Sequence, residues 1–155
     1  MSNLEDVTEQ LAESTVEIFT GMVMMEIELT DKIMDSMDPL QESITGMVGL
    51  AGTHKGLLAV HVPKAVATAI TGNFLGVEVD EINEDVEDAI GEIANMLGGN
   101  LKSILSDKGK DIKLSLPSTI SGESYNFKSQ ADVETLVLEF KTSVGKFYVD
   151  VELES

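Results

Sequence analysis

Glu92 and Asn95, a carboxylate and a carboxamide, stand three residues apart in the stretch Asp88-Ala89-Ile90-Gly91-Glu92-Ile93-Ala94-Asn95. On a helix, that i, i+3 spacing stacks two side chains on one face, so the pair projects together. A carboxamide offers a donor and an acceptor without adding charge, and it can orient a water or a polar group beside a negative centre. Spacing alone does not separate the pair from ordinary solvated residues, because short motifs recur by chance. Two local features do. Gly98-Gly99 falls mid-helix, where each glycine costs about 1 kcal/mol relative to alanine, and Gly99 lies on the Asn95 side. Asn95 is also a weaker helix former than the Glu, Lys or Gln usual at an exposed position.

The segment around these residues reads as a long amphipathic helix. At about 100° per residue, Val86, Ile90, Ile93, Leu97, Leu101 and Ile104 fall on one stripe. Asp88, Glu92, Asn95, Gly99 and Lys102 fall opposite. Asn83 is placed to cap the helix, with Glu84, Asp85 and Glu87 set favourably against its dipole. The helix should run to about Leu105 and close at Lys108-Gly109.

Elsewhere the periodicity predicts a first helix over residues 3–20 stopped by Gly21. Residues 22–30 are strand-like, and Asp38-Pro39 signals a turn. Strands over 44–53 and 56–62 should pair around His54-Lys55. A shorter helix over 64–75 ends at Gly76. A strand over 112–116 is broken by Pro117. A hairpin joins 134–141 to 146–153 through Thr142-Ser143-Val144-Gly145. In its last strand Phe147, Val149, Val151 and Leu153 alternate with Tyr148, Asp150 and Glu152, which predicts one buried and one wet face. The fold class expected is α+β, an α/β sandwich in which a mostly antiparallel sheet packs with two long helices and a shorter one.

Composition narrows the chemistry. At 155 residues with 43% hydrophobic and 5% aromatic content, a single globular domain over residues 1–155 is expected. The absence of cysteine excludes disulfides and thiolate metal sites and fits a reducing, cytoplasmic setting. No signal-peptide pattern and no apolar run of membrane-spanning length is present. The charge of −18, from 28 acidic and 10 basic residues, disfavours nucleic acid. All the basic residues are lysines, so an arginine clamp on phosphate is impossible. Cationic stabilisation of any phosphoryl chemistry must come from a partner.

Other candidates are set aside. His54 and His61 lie apart with no carboxylate pattern joining them, which favours solvated or packing roles. The acidic run from Asp80 to Asp88 lacks EF-hand spacing. Met22, Met24, Met25, Met34 and Met37 read as core gap-fillers. The glycines from Gly46 to Gly56 form no nucleotide loop.

In its wider pattern the chain resembles the CheC/CheX/FliY phosphatases of bacterial chemotaxis, CheX most closely. That family's signature is Asp or Ser, three residues, Glu, two residues, Asn, and a proline just over twenty residues on. Asp88, Glu92, Asn95 and Pro117 meet it. The flanks match too: Ile44–Leu50 before Lys55–Val60, Phe74-Leu75-Gly76 before Glu81–Glu84, and Leu116–Gly122 afterwards. The resemblance implies a phosphatase for the phosphoaspartate of a CheY-type response regulator. Asn95 would orient the attacking water, Glu92 would pair with the regulator's lysine, Gly99 would permit close approach, and Asp88 would support the interface or the helix start. It implies no cofactor on this chain, with Mg²⁺ brought by the regulator. One motif per chain is expected, because Glu13-Ser14-Thr15-Val16 in the first helix has valine where a second amide would stand, and the resemblance to CheX implies a homodimer. The competing reading is a non-catalytic module that docks a receiver through the same helix.

Overall fold

The computed structural model describes residues 4–33, 40–53, 55–106, 111–125 and 133–154. The elements run α1 (Leu4–Ile18), a π-helical turn (Phe19–Val23), β1 (Glu28–Ile33), β2 (Leu40–Gly52), β3 (Gly56–Pro63), α2 (Lys64–Leu75), α3 (Glu84–Leu105), β4 (Ile112–Leu114), β5 (Ser118–Tyr125), β6 (Val133–Thr142) and β7 (Gly145–Glu154). The described strands form one seven-stranded sheet in the order β1-β6-β7-β3-β2-β4, with β5 also pairing β2. Every pairing is antiparallel. The three helices and this sheet make the α+β sandwich that the periodicity predicts.

Strand alternation sorts the sheet residues into two faces. Ile44, Val48 and Leu50 of β2, Leu58, Val60 and Val62 of β3, Leu136, Leu138 and Phe140 of β6, and Phe147, Val149 and Val151 of β7 are buried in one cluster with the helices. Phe147 is sandwiched between Phe19 and Phe140, with ring centroids 4.7 and 5.2 Å away. α3 contacts β2 and β3 and is flanked by α1 and α2. Its seat is close. A methyl group on Gly98 would come within 2.6 Å of Val48 Cγ2, and one on Gly46 within 2.8 Å of the Ile90 carbonyl oxygen. Gly98 is therefore explained by packing inside the molecule, not by an external partner.

The second face corrects an expectation. Ser43, Thr45, Ala59, His61, Val137, Asp150 and Glu152 alternate with the core residues, yet all are buried. Asp150 and Glu152 are not on a wet face. His61 Nε2 lies 3.0 Å from Asp150 Oδ2, and its Nδ1 lies 2.8 Å from Thr45 Oγ1. A carboxylate does join His61 after all, through register. Thr45 stands opposite His61, and Asp150 stands opposite Ala59, two residues along β7 from Tyr148, which pairs with His61. Histidine here is a fully buried structural residue. His54 lies outside the described residues.

Smaller departures have local causes. Gly21 does not stop the first helix; the chain passes through it in the π-helical turn, and Met24 takes the left-handed conformation at φ 56°. Met24 and Met22 are exposed and Met25 alone of these three is buried, so the methionine run is only partly core. Asp38-Pro39, Met34, Met37 and Lys108-Gly109 lie outside the described residues. Beyond β4, the segment after Pro117 re-enters the sheet as β5, paired along β2 from Leu40 to Met47.

Candidate functional site

α3 is set by its own sequence. Asn83 Oδ1 accepts a hydrogen bond from the Val86 backbone N–H at 3.1 Å, and Glu84, Asp85 and Glu87 occupy the first turn. These acidic groups complement the positive helix end. Lys64, at the start of α2, bridges Glu42 and Glu81 at 3.1 and 3.3 Å and ties the approach to α3 against β2. Hydrogen bonds to Glu42 and then Glu81 hold the Lys64 ammonium above its ordinary pKa. Among the described residues there is no group of three metal-ligating side chains, so the acidic run offers no cation cage.

The apolar stripe is buried as expected: Val86, Ile90, Ile93, Leu97 and Leu101 are fully enclosed, and Ile104 packs partly against the core. Burial goes further than one stripe. Ala89, Gly91, Ala94 and Gly98 are covered too, because α3 is packed by the sheet and by helices on both flanks. What remains to solvent is a narrow ridge. Asp88 and Glu92 are exposed on it, and Asn95 and Gly99 are half-buried along it. All four residues singled out in the sequence therefore share one outward strip of one helix. Space beyond Gly99 is open, since a methyl group there would meet nothing within 4 Å.

Neither Glu92 nor Asn95 makes a side-chain hydrogen bond or ion pair to another described residue. An uncommitted carboxylate and amide, fixed on a capped and deeply seated helix, can receive groups from outside. Half-burial limits the Asn95 rotamers, which reduces the ordering needed when it engages a ligand.

Periodicity gave no signal for one neighbour of the pair. Pro117 and Thr119 lie against Gly91: a methyl group there would sit 3.8 Å from Pro117 Cβ and 3.8 Å from Thr119 Cγ2. The proline more than twenty residues downstream is thus a wall beside the motif helix. Among the described residues, no helix is long and apolar enough to cross a membrane.

Comparison with known proteins gives these residues a context. The family model for chemotaxis phosphatase CheX matches residues 44–141, which include the whole of α3 and Pro117. The CheY-P phosphatase CheX of Thermotoga maritima is 28% identical over 91 residues, 58% of this chain. The match spans 59% of that relative's length, less than two thirds of it. A CheC-like superfamily protein from Shewanella sp. PV-4 superposes with a TM-score of 0.88 at 24% identity, covering 99% of this chain and 100% of that one. The CheX of a CheX–CheY–BeF₃–Mg²⁺ complex from Borrelia burgdorferi does so at 0.80 and 22% identity, covering 95% and 97%. At these identities the superpositions speak for the fold.

Proposed function

The chain belongs to the CheX family of chemotaxis phosphatases, and from that membership we propose that it is a phosphatase hydrolysing the phosphoaspartate of a CheY-type response regulator. One observation carries the reading. Within the matched region, Glu92 and Asn95 sit together on the solvent ridge of α3 with their polar groups unengaged by the described residues. The names of two relatives support the partner: the Thermotoga protein is called a CheY-P phosphatase, and the Borrelia protein was solved with CheY, BeF₃ and Mg²⁺.

Acyl phosphate hydrolysis needs a water held in line with the phosphorus and neutralisation of charge on the phosphoryl oxygens. A chain with no arginine, and with two carboxylates on the ridge, is poorly equipped for the second task. The receiver supplies it, through its own lysine and its Mg²⁺. This chain supplies the first. Asn95 enters the receiver's site and orients the attacking water, accepting from it through the amide oxygen while donating through the amide nitrogen. Glu92 pairs with the receiver's lysine and sets the depth of insertion. Gly99 keeps the ridge low enough for close approach, and Asp88 lends charge to the same interface.

The whole chain, residues 1–155, acts in this reading as one CheX-like domain in the cytoplasm, and as a homodimer with one site per subunit. Light scattering should give about 33 kDa, twice the 16.7 kDa chain; a monomer at micromolar concentration removes the dimer. The activity is tested by following phosphate release from a phosphorylated CheY-type receiver with and without catalytic amounts of the protein. Accelerated release through many turnovers is expected. Stoichiometric protection of the phosphate would overturn the enzyme reading in favour of a docking module.

A further inference from the structure

Leu116 is the most exposed large hydrophobic residue among those described, at 89%; Met24 follows at 75%. Single exposed leucines are common and ordinarily mean nothing. This one is held in place from both sides. The Ser115 backbone N–H donates to the Gly49 carbonyl at 3.0 Å, and Ser115 Oγ accepts from the Gly49 N–H at 2.8 Å while donating to the Leu116 carbonyl at 3.1 Å. Both hydrogen bonds to Gly49 draw Ser115 toward β2. On the other side Pro117 confines Leu116 to extended backbone conformations and is itself braced against Gly91. The backbone beneath Leu116 is therefore ordered before any partner arrives.

Its position along α3 follows from two packing contacts. Leu114 is the neighbour of Gly98, with Cδ1 at 3.6 Å from a methyl group built there, and Pro117 and Thr119 are the neighbours of Gly91. Seven helical residues span about 10 Å, and three to four extended residues span about the same. The segment from Leu114 to Thr119 thus runs antiparallel to α3 between those two levels. Leu116 falls level with Asn95. On the helix, Asn95 is one turn beyond Gly91 and one turn before Gly98 and lies toward the solvent edge of the stripe that faces this segment.

We propose that Leu116 is an apolar anchor for the receiver, seated against apolar side chains on the rim of the receiver's phosphorylation pocket while Asn95 enters the pocket. The inference rests on the phosphatase reading above and adds a contact to it. The ridge of α3 offers the receiver charge and an amide, and its one apolar neighbour, Met96, is partly buried against the core, whereas stable recognition usually centres on a few buried apolar contacts ringed by polar ones. Leu116 and Pro117 supply that element on the flank of the pair. A rigid backbone beneath the leucine means little ordering is needed on docking.

The test compares steady-state dephosphorylation by the full chain and its Leu116→Ser and Leu116→Met variants, with binding to a BeF₃- and Mg²⁺-loaded receiver measured alongside. Leu116→Ser should raise KM and Kd on the order of tenfold or more, the scale of losing one buried leucine contact, with kcat at saturation unchanged. Leu116→Met should restore wild-type values. Met24→Ser, at a comparably exposed methionine, should alter neither. Wild-type KM and Kd in Leu116→Ser overturn the anchor and leave the phosphatase reading standing. A fall in kcat with KM and Kd unchanged also overturns it. Wild-type protein that neither binds the loaded receiver nor releases phosphate overturns both.

Discussion

Asn95→Ala is expected to slow receiver dephosphorylation a hundredfold or more at saturating substrate while the protein folds and docks as before. The amide makes no hydrogen bond to another described residue, so its removal leaves no buried group stranded. Its proposed role, holding a water in line, acts on the barrier and not on the bound ground state, which places the loss in kcat. Deleting a single positioning group elsewhere costs about 2.7–4 kcal/mol, consistent with a fall of that size. Glu92→Ala should differ in kind: losing an interfacial charge pair weakens receiver binding as well as turnover. Stopped-flow measurement across receiver concentrations separates the two effects. Wild-type kcat in Asn95→Ala would falsify the mechanism.

The second large effect lies on the far side of the sheet and concerns stability. His61→Ala should lower the unfolding free energy by about 3–5 kcal/mol, the usual cost of removing one partner from a buried pair. The Tm should fall on the order of 10 °C for a chain of this size. Asp150 is 4% exposed, and its Oδ1 has no hydrogen-bond partner among the described residues. Loss of His61 would leave the whole carboxylate without compensation in a place water cannot readily reach. The double variant His61→Leu, Asp150→Leu removes both ends of the pair and should recover most of the loss. Chemical denaturation of the two variants decides it: a double variant less stable than His61→Ala would show that the pair is not what makes the single change costly. At temperatures where it remains folded, His61→Ala should keep wild-type turnover, because His61 lies on the sheet face away from α3.

Local pattern was enough for everything that depends on neighbours a few residues apart. The stripe from Val86 to Leu101, the cap at Asn83, the 64–75 helix with its Gly76 stop and the closing hairpin were all legible, because helical and strand periods and turn chemistry are short-range properties. The same wheel put Asp88, Glu92, Asn95 and Gly99 on one outward strip, where the structure has them. Their assignment to phosphoaspartate chemistry came from family likeness, since spacing alone carries no reaction.

Contacts between segments far apart in the chain were a different matter. Alternation in β7 distinguishes two faces but says nothing about whether the second meets water; Asp150 and Glu152 looked wet because they are charged, and the fold buried them. His61 found its carboxylate 89 residues away, a pairing created by strand order. In the sequence Gly98 is only a costly glycine within a helix; its reason is the close seat of α3 on Val48. The arrangement beside Asn95, with Pro117 against Gly91 and Leu116 raised between Ser115 and the proline, arises only when β4 and β5 line the edge of β2 next to α3. Sequence by itself determined which residues face outward on the motif helix, through a period of 3.6. Tertiary structure alone decided what stands next to them, because sheet order and packing join residues that no local period relates.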